Sequence, residues 1–444
     1  MIKRSSVSVV LSILVFAGTV QTTWGQAQDE SVTDARAFIE LLVNKKFATA
    51  VEQFDSTMKT ALPETKLAET WTSVQAQVGP FKQAGAARSE KRGDFTVVVV
   101  TCDFQNLALD VSVVFDQQKR VAGLFFAPAK KADYVPPAYA KTDTFREKEI
   151  TVGSGEWALP GTLTIPVGTG PFPAVVLVHG SGPNDRDETI GPNKPFKDLA
   201  WGLASRGVAV LRYEKRTKQH VAKIVSISNL TAKEEVLDDA LAAVELLRKT
   251  EGIDAKRIFV LGHSLGGMFV PRIGRLDPNI AGLIALAGAT RALEDVIPEQ
   301  LAYIFSLDGT VSAEEQKQID QAKEQAAKVK ALKAEDAGST TPIFGVPVSY
   351  WLDLRGYDPA ESAKGLKQPM LILQGERDYQ VTMEDFKKWN AALGGRSNVT
   401  LKSYPGLNHL FIAGTSRSTP LEYDQLGHVD ERVIDDIASW IKKH

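Results

Sequence analysis

A serine hydroxyl attacks a carbonyl when a neighbouring base takes its proton and an acid orients that base. In Gly262-His263-Ser264-Leu265-Gly266 a serine stands between glycines, after the apolar run Ile258-Phe259-Val260-Leu261. A helical pattern with Met268, Phe269, Ile273 and Leu276 follows. A sharp strand-to-helix turn strains the backbone of its central residue, and flanking glycines keep Cβ atoms out of the way. The serine then stands at a helix N-terminus, where free N–H groups favour developing negative charge. Ser264 is the candidate nucleophile.

The chain offers six histidines as base: His179, His220, His263, His409, His428 and His444. His409 closes the turn-rich loop Tyr404-Pro405-Gly406-Leu407-Asn408 after the last strand pattern, at the sheet edge where catalytic groups of open α/β sheets collect. It is preferred to His428, which precedes the terminal helix. The acid is expected between serine and histidine in chain order. Asp378 lies in such a loop, after the strand pattern 369–373; Glu376 is its rival, with Asp358 and Asp385 behind. The tetrahedral oxyanion needs preset N–H donors. Leu265 supplies one, and the backbone of Ser181, in His179-Gly180-Ser181-Gly182-Pro183, the other. His179, Gly180, Gly182 and His263 are candidates to touch substrate. The acidic run 184–188 reads as a solvated, mutually paired loop, with Arg186 as a possible contact for a polar substrate. This glycine-rich loop fits no phosphate-binding pattern, and the chain has neither H-E-x-x-H nor a calcium loop, so neither cofactor nor metal is expected.

These groups need a scaffold of alternating strands and helices. From residue 147 the chain has it: strand patterns at 147–152, 157–165, 174–178, 208–213, 258–261, 281–286, 369–373 and 399–404, and helical ones at 195–206, 231–249, 382–393 and 429–443. The helix at 231 opens with a Thr231-to-Glu234 capping box. A mostly parallel sheet with helices on both faces is expected. Residues 291–362 interrupt the rhythm with a helix capped by Ser312 and an aromatic stretch 342–357, which reads as a lid insertion over the site.

Residues 29–128 form a separate small α+β unit, with helices at 34–43, 47–62 and 63–78 and then strands at 93–104, 107–115 and 120–126. It contains no histidine and no catalytic constellation. Residues 129–146, with Pro136 and Pro137, read as a linker. Cys102, the single cysteine, excludes an internal disulfide and lies in a buried-strand pattern. A net charge of −2 over 444 residues gives no reason to expect nucleic acid or an anionic membrane surface as partner. Residues 1–25 read as a signal peptide: Lys3 and Arg4, then an apolar run from Val7 to Ala17 too short to span a bilayer, then a small-residue site giving a mature start near Gln26. Export to the periplasm or beyond is expected, with no membrane association after cleavage. Oligomeric state is not legible.

Taken in order, His179 to Pro183, Gly262 to Gly267, Asp378 and His409 make residues 147–444 resemble the α/β-hydrolase superfamily. His179 to Asp187, Pro192 to Phe196 and Leu211 to Arg216 are similar to bacterial two-domain esterases near the dienelactone-hydrolase branch. Leu67 to Trp71 and Gly79-Pro80-Phe81 look like the small leading domain of those esterases. Thr217 departs from them, since relatives often have glycine there. The resemblance implies a serine carboxylesterase acting on short-chain carboxylic esters through an acyl-enzyme, with a small-molecule ester as substrate. Two alternatives are an aminopeptidase or acyl-peptide hydrolase on the same scaffold, and a catalytically inactive hydrolase fold serving as a binding protein.

Overall fold

The computed structural model describes residues 27–105, 107–129 and 134–444, so the signal segment lies outside the described residues. The chain divides into two compact units near residue 131.

The first unit opens with helices α1 (Ala27–Val43), α2 (Phe47–Glu52), α3 (Ser56–Ala61) and α4 (Glu64–Val78). Strands β1 (Phe81–Arg92), β2 (Phe95–Phe104), β3 (Ala108–Phe115) and β4 (Val121–Pro128) follow as an antiparallel meander. Phe38, Leu42, Leu67 and Trp71 from the helices and Val98, Val100, Val111 and Val113 from the sheet make one core. Two expectations need correction. The helix read over 47–62 is broken, because Phe54 leaves it to bridge Val121 and Asp55 caps a new helix by accepting the Met58 N–H. Strand β1 was missed, because its mostly exposed, polar residues give no apolar alternation. Cys102 is fully buried, and burial pushes its thiol up to about 12, so it is inert packing.

In the second unit, residues 134–144 are not a free linker. Tyr134 and Tyr139 donate their hydroxyls to Asp198 and to the Val429 carbonyl, and the Lys141 N–H bonds Ser205. Strands β5 (Phe145–Val152), β6 (Leu159–Pro166) and β7 (Phe172–Val178) come next, then α5 (Pro195–Ala204), β8 (Ala209–Tyr213), α6 (Arg216–Gln219), α7 (Val221–Val225) and α8 (Asp238–Arg248). Strand β9 (Ile253–His263), α9 (Leu265–Leu276) and β10 (Gly282–Leu286) form the centre. The insertion holds α10 (Leu293–Phe305), α11 (Ala313–Ala331), α12 (Val348–Leu354) and α13 (Pro359–Ala363). Strand β11 (Met370–Gly375), α14 (Met383–Leu393), β12 (Val399–Tyr404) and α15 (Glu431–Lys443) complete the unit.

The sheet order is β12-β11-β10-β9-β7-β8-β6-β5. All neighbours from β8 to β12 are parallel, and β5 and β6 close one edge as an antiparallel pair. One core, with Val176, Val260, Phe269 and Leu283, lies under α8 and α9; the other, with Val175, Phe259, Leu371 and Ile437, lies under α5 and α15. Two covered faces explain why the inner strands are apolar throughout rather than alternating. The helix read over 231–249 begins differently from expectation. Lys233–Leu237 is a π-helical turn, and Glu234 reaches back to the Thr231 N–H before α8 starts. Among the described residues no helix is long and apolar enough to cross a membrane.

Candidate active site

Strand β9 is the central strand, so its carboxyl end faces loops from both halves of the sheet. Ser264 sits there with φ 54 and ψ −116, a conformation that a non-glycine residue holds only when its surroundings fix it. They do: its N–H donates to the Leu286 carbonyl at 2.9 Å, and its own carbonyl starts α9 by accepting Met268 N–H at 3.0 Å. The glycines are steric necessities. A Cβ on Gly262 would lie 2.2 Å from the Gly266 oxygen, and one on Gly266 2.2 Å from the Val178 oxygen. The turn can therefore press against β7 only with glycine at both places.

His409 and Asp378 come from the loops after β12 and β11. Both are buried, and His409 Nδ1 lies 2.6 Å from Asp378 Oδ2. Asp378 Oδ1 accepts the N–H groups of Gln380 (2.7 Å) and Val381 (3.0 Å). A carboxylate that only accepts makes Nδ1 the protonated nitrogen of His409 and leaves Nε2 as the base. Asn408 shapes the loop by accepting the N–H groups of Leu410 and Ile412. The ring of His263, next in chain to Ser264, lies 4.7 Å from that of His409 between centroids. Nucleophile turn, base and acid thus meet at one sheet edge.

The rival residues are occupied elsewhere. Glu376 is exposed and accepts from Ser403. Asp358 caps α13, and fully buried Asp385 binds Thr290, Arg291 and the Thr382 N–H. His428 pairs with Asp198 on α5, and His220 Nε2 bonds the Ala158 carbonyl.

The loop after β7 flanks the serine. A Cβ on Gly180 would lie 3.1 Å from that of Ser264. The Gly180 N–H is already spent on Glu188 Oε1 at 2.6 Å, which leaves the adjacent exposed Ser181 as the candidate donor of this loop. Neither Ser181 N–H nor Leu265 N–H has a backbone or side-chain acceptor among the described residues. Two histidines read as substrate contacts are internal instead. His179 is 1% exposed, bonds the Asp185 carbonyl through Nε2, and packs against Phe196 and Tyr213. Burial holds its imidazole down to about 4 despite the nearby Glu188 charge, so it is neutral at physiological pH.

His263 is 4% exposed. Its Nε2 lies 3.0 Å from the His409 carbonyl, and its Nδ1 lies 2.8 Å from Glu188 Oε2 at an angle outside linear hydrogen bonding. Both neighbours are acceptors, the His409 carbonyl within hydrogen-bond geometry and the Glu188 carboxylate as a close opposite charge. Burial, the largest single influence, would lower its affinity for the second proton, but Glu188, the His409 carbonyl and the Asp378 charge together outweigh it and raise that affinity. Burial likewise pushes the Glu188 carboxyl up, and His263, His179 and the Gly180 N–H together overcome it, leaving a net fall. Stranding either charge alone in this interior would cost several kcal/mol. Glu188 also has φ 51.

The acidic run 184–188 is therefore not the solvated loop its composition suggests. Arg186, read as a possible contact for substrate, is taken up by Glu149, Glu214 and Thr162. Lys215, given no role from the sequence beyond its place in the Leu211 to Arg216 resemblance, is buried against the same loop just past buried β8. The insertion rests on the acid loop: Tyr303 stacks on Tyr379 at 4.9 Å, and Gln300 bonds the Gln380 carbonyl. Among the described residues no group of three or more His, Cys, Asp or Glu could hold a metal ion.

Comparisons with known proteins agree with this architecture. Residues 171–414 match the family described as "Serine aminopeptidase, S33", and residues 35–124 match a family described as a protein of unknown function (DUF3887). The chain is 42% identical over 410 residues to Esterase EstD of Thermotoga maritima, covering 92% of this chain and 95% of that protein. Among solved structures, an esterase of Pyrococcus furiosus aligns at 16% identity over 71% of this chain and 97% of its own, with a TM-score of 0.44. Est1E of Butyrivibrio proteoclasticus aligns at 17% over 66% and 96%, with a TM-score of 0.40. Those scores are low, and it is the sequence matches that establish kinship. The chain belongs to the α/β-hydrolase superfamily, among its serine esterases.

Proposed function

We propose that the chain is an exported carboxylesterase that hydrolyses short-chain esters with Ser264, His409 and Asp378 as its triad. The observation that carries the triad is the 2.6 Å bond from His409 Nδ1 to Asp378 Oδ2, beside a serine held at φ 54 on the strand end. His409 Nε2 takes the proton as Ser264 Oγ attacks the ester carbonyl. Asp378 steadies the imidazolium, and the N–H groups of Leu265 and Ser181 receive the oxyanion. Collapse of the tetrahedral adduct expels the alcohol, which takes the proton from His409. Water, deprotonated by the same histidine, then frees the acid and restores the serine.

Short acyl preference is supported by the insertion, whose α10 seats on the acid loop and bounds the site on that side. A series of p-nitrophenyl esters from acetate to palmitate should give its highest kcat/KM at four carbons or fewer. A maximum at ten or more would contradict the preference. The serine aminopeptidase description of the matched family favours one second reading, cleavage of peptide bonds. Aminoacyl p-nitroanilides in the same panel decide it: turnover of these above that of the esters would replace the ester reading. Export rests on Lys3, Arg4 and the apolar run after them. Amino-terminal sequencing of protein from the periplasm or medium should begin near Gln26, and a retained Met1 would refute cleavage.

A further inference from the structure

The Ser181 N–H can stabilise an oxyanion only if its peptide plane is turned the right way. That plane is shared with the Gly180 carbonyl. A trans peptide is flat, with C=O and N–H pointing in opposite directions, so whatever holds the oxygen aims the hydrogen. The Gly180 oxygen is held by a buried cation. Lys215 Nζ lies 2.8 Å from it, and the lysine side chain is 3% exposed. Asn184 Nδ2 approaches the same oxygen at 3.2 Å.

Lys215 is itself fixed at two points, and a neighbour adds a third tie to the loop. Its Nζ pairs with Glu235 Oε1 at 2.6 Å, and Glu235 lies in the π-helical turn Lys233–Leu237. Its backbone N–H donates to the Asn184 carbonyl at 3.1 Å. Two residues on, Thr217 Oγ1 donates to the Gly182 carbonyl. From the other side, Glu188 takes the Gly180 N–H and abuts the His263 ring under Ser264. The glycine-rich loop, held from within by Asn184 and His179, is thus also stapled from outside. A bare brace could be made by any neutral donor. A charged donor also withdraws electrons from the carbonyl and makes the N–H across the same amide a stronger donor.

We propose that Lys215 is a positioning residue for ester hydrolysis, which turns and polarises the Gly180–Ser181 peptide so that the Ser181 N–H meets the oxyanion. The inference rests on the triad reading above. A neutral replacement weakens transition-state binding more than substrate binding, because the oxyanion exists only after attack. Losing a whole oxyanion donor costs on the order of 10² to 10³ in turnover, and a mis-set, less polarised donor should cost about 10- to 100-fold.

The test compares wild type, Lys215→Met and the double variant Lys215→Met/Glu235→Gln, which avoids leaving a buried carboxylate unpaired. p-Nitrophenyl butyrate is the substrate and butaneboronic acid the tetrahedral mimic. Rates are taken about 15 °C below each variant's own melting midpoint, so that folded enzyme is compared. Both variants should lose about 10- to 100-fold in kcat with KM within about threefold, and boronate inhibition should weaken by a matching factor. A purely structural role would lower the melting midpoint and leave kcat and boronate affinity of the folded enzyme within threefold. That result, with Ser264→Ala inactive, would overturn this inference alone. Activity surviving Ser264→Ala would overturn the triad reading beneath it.

Discussion

Replacing His409 by alanine should cut kcat for p-nitrophenyl butyrate by on the order of 10⁶-fold, the size of effect seen when a triad histidine is removed from other serine hydrolases. The reason is local. The neighbouring ring, His263, has both nitrogens turned to acceptors, Glu188 Oε2 and the His409 carbonyl, so it is a poor substitute for His409. His263 is also braced through the main chain of residue 409, which alanine keeps. The variant should therefore fold, with a far-ultraviolet spectrum like that of wild type. A loss below about 100-fold would mean that another group serves as base.

Asp378→Asn should lower kcat by on the order of 10⁴-fold with little change in melting temperature. The backbone decides how the new amide lies. Oδ1 is claimed by the N–H groups of Gln380 and Val381, so the asparagine oxygen must stay there and its NH2 must take the place of Oδ2. That NH2 then faces His409 Nδ1, where a donor now sits 2.6 Å from an acceptor. The imidazole is forced to carry its proton on Nε2, and the base is lost while the shape is kept. A variant retaining more than a hundredth of wild-type turnover would show that Asp378 does not set the tautomer.

The elbow was legible because its cause is local. Gly262 and Gly266 are required by contacts that the turn makes with itself and with β7, so the spacing alone announces it. Asp378 and His409 were singled out by chain order and by their places at strand ends, and the fold brings the two together. Glu188 and Lys215 were not. Glu188 lies in a charged run that composition assigns to solvent and Lys215 among the charged residues after β8, and only the packing of the β7 loop against the residues after β8 buries them. His179 and His263 were read as contacts for substrate from their places after a strand and in the elbow, and their burial is a property that only the packing shows. In the first unit, β1 escaped notice because an exposed polar edge strand has no apolar period, and the break at Phe54 arose from a tertiary bridge. Local sterics and periodicity can be read from a chain; partners distant in sequence cannot.

The central claim is that Ser264 is the residue that becomes acylated. A fluorophosphonate forms a stable adduct with an activated serine, and mass spectrometry of the labelled protein and its peptides locates it. The account predicts one adduct per chain, on the peptide carrying Ser264, formed as esterase activity disappears, and no adduct on the Ser264→Ala variant. An adduct on another residue, or full loss of activity with Ser264 unmodified, would contradict it.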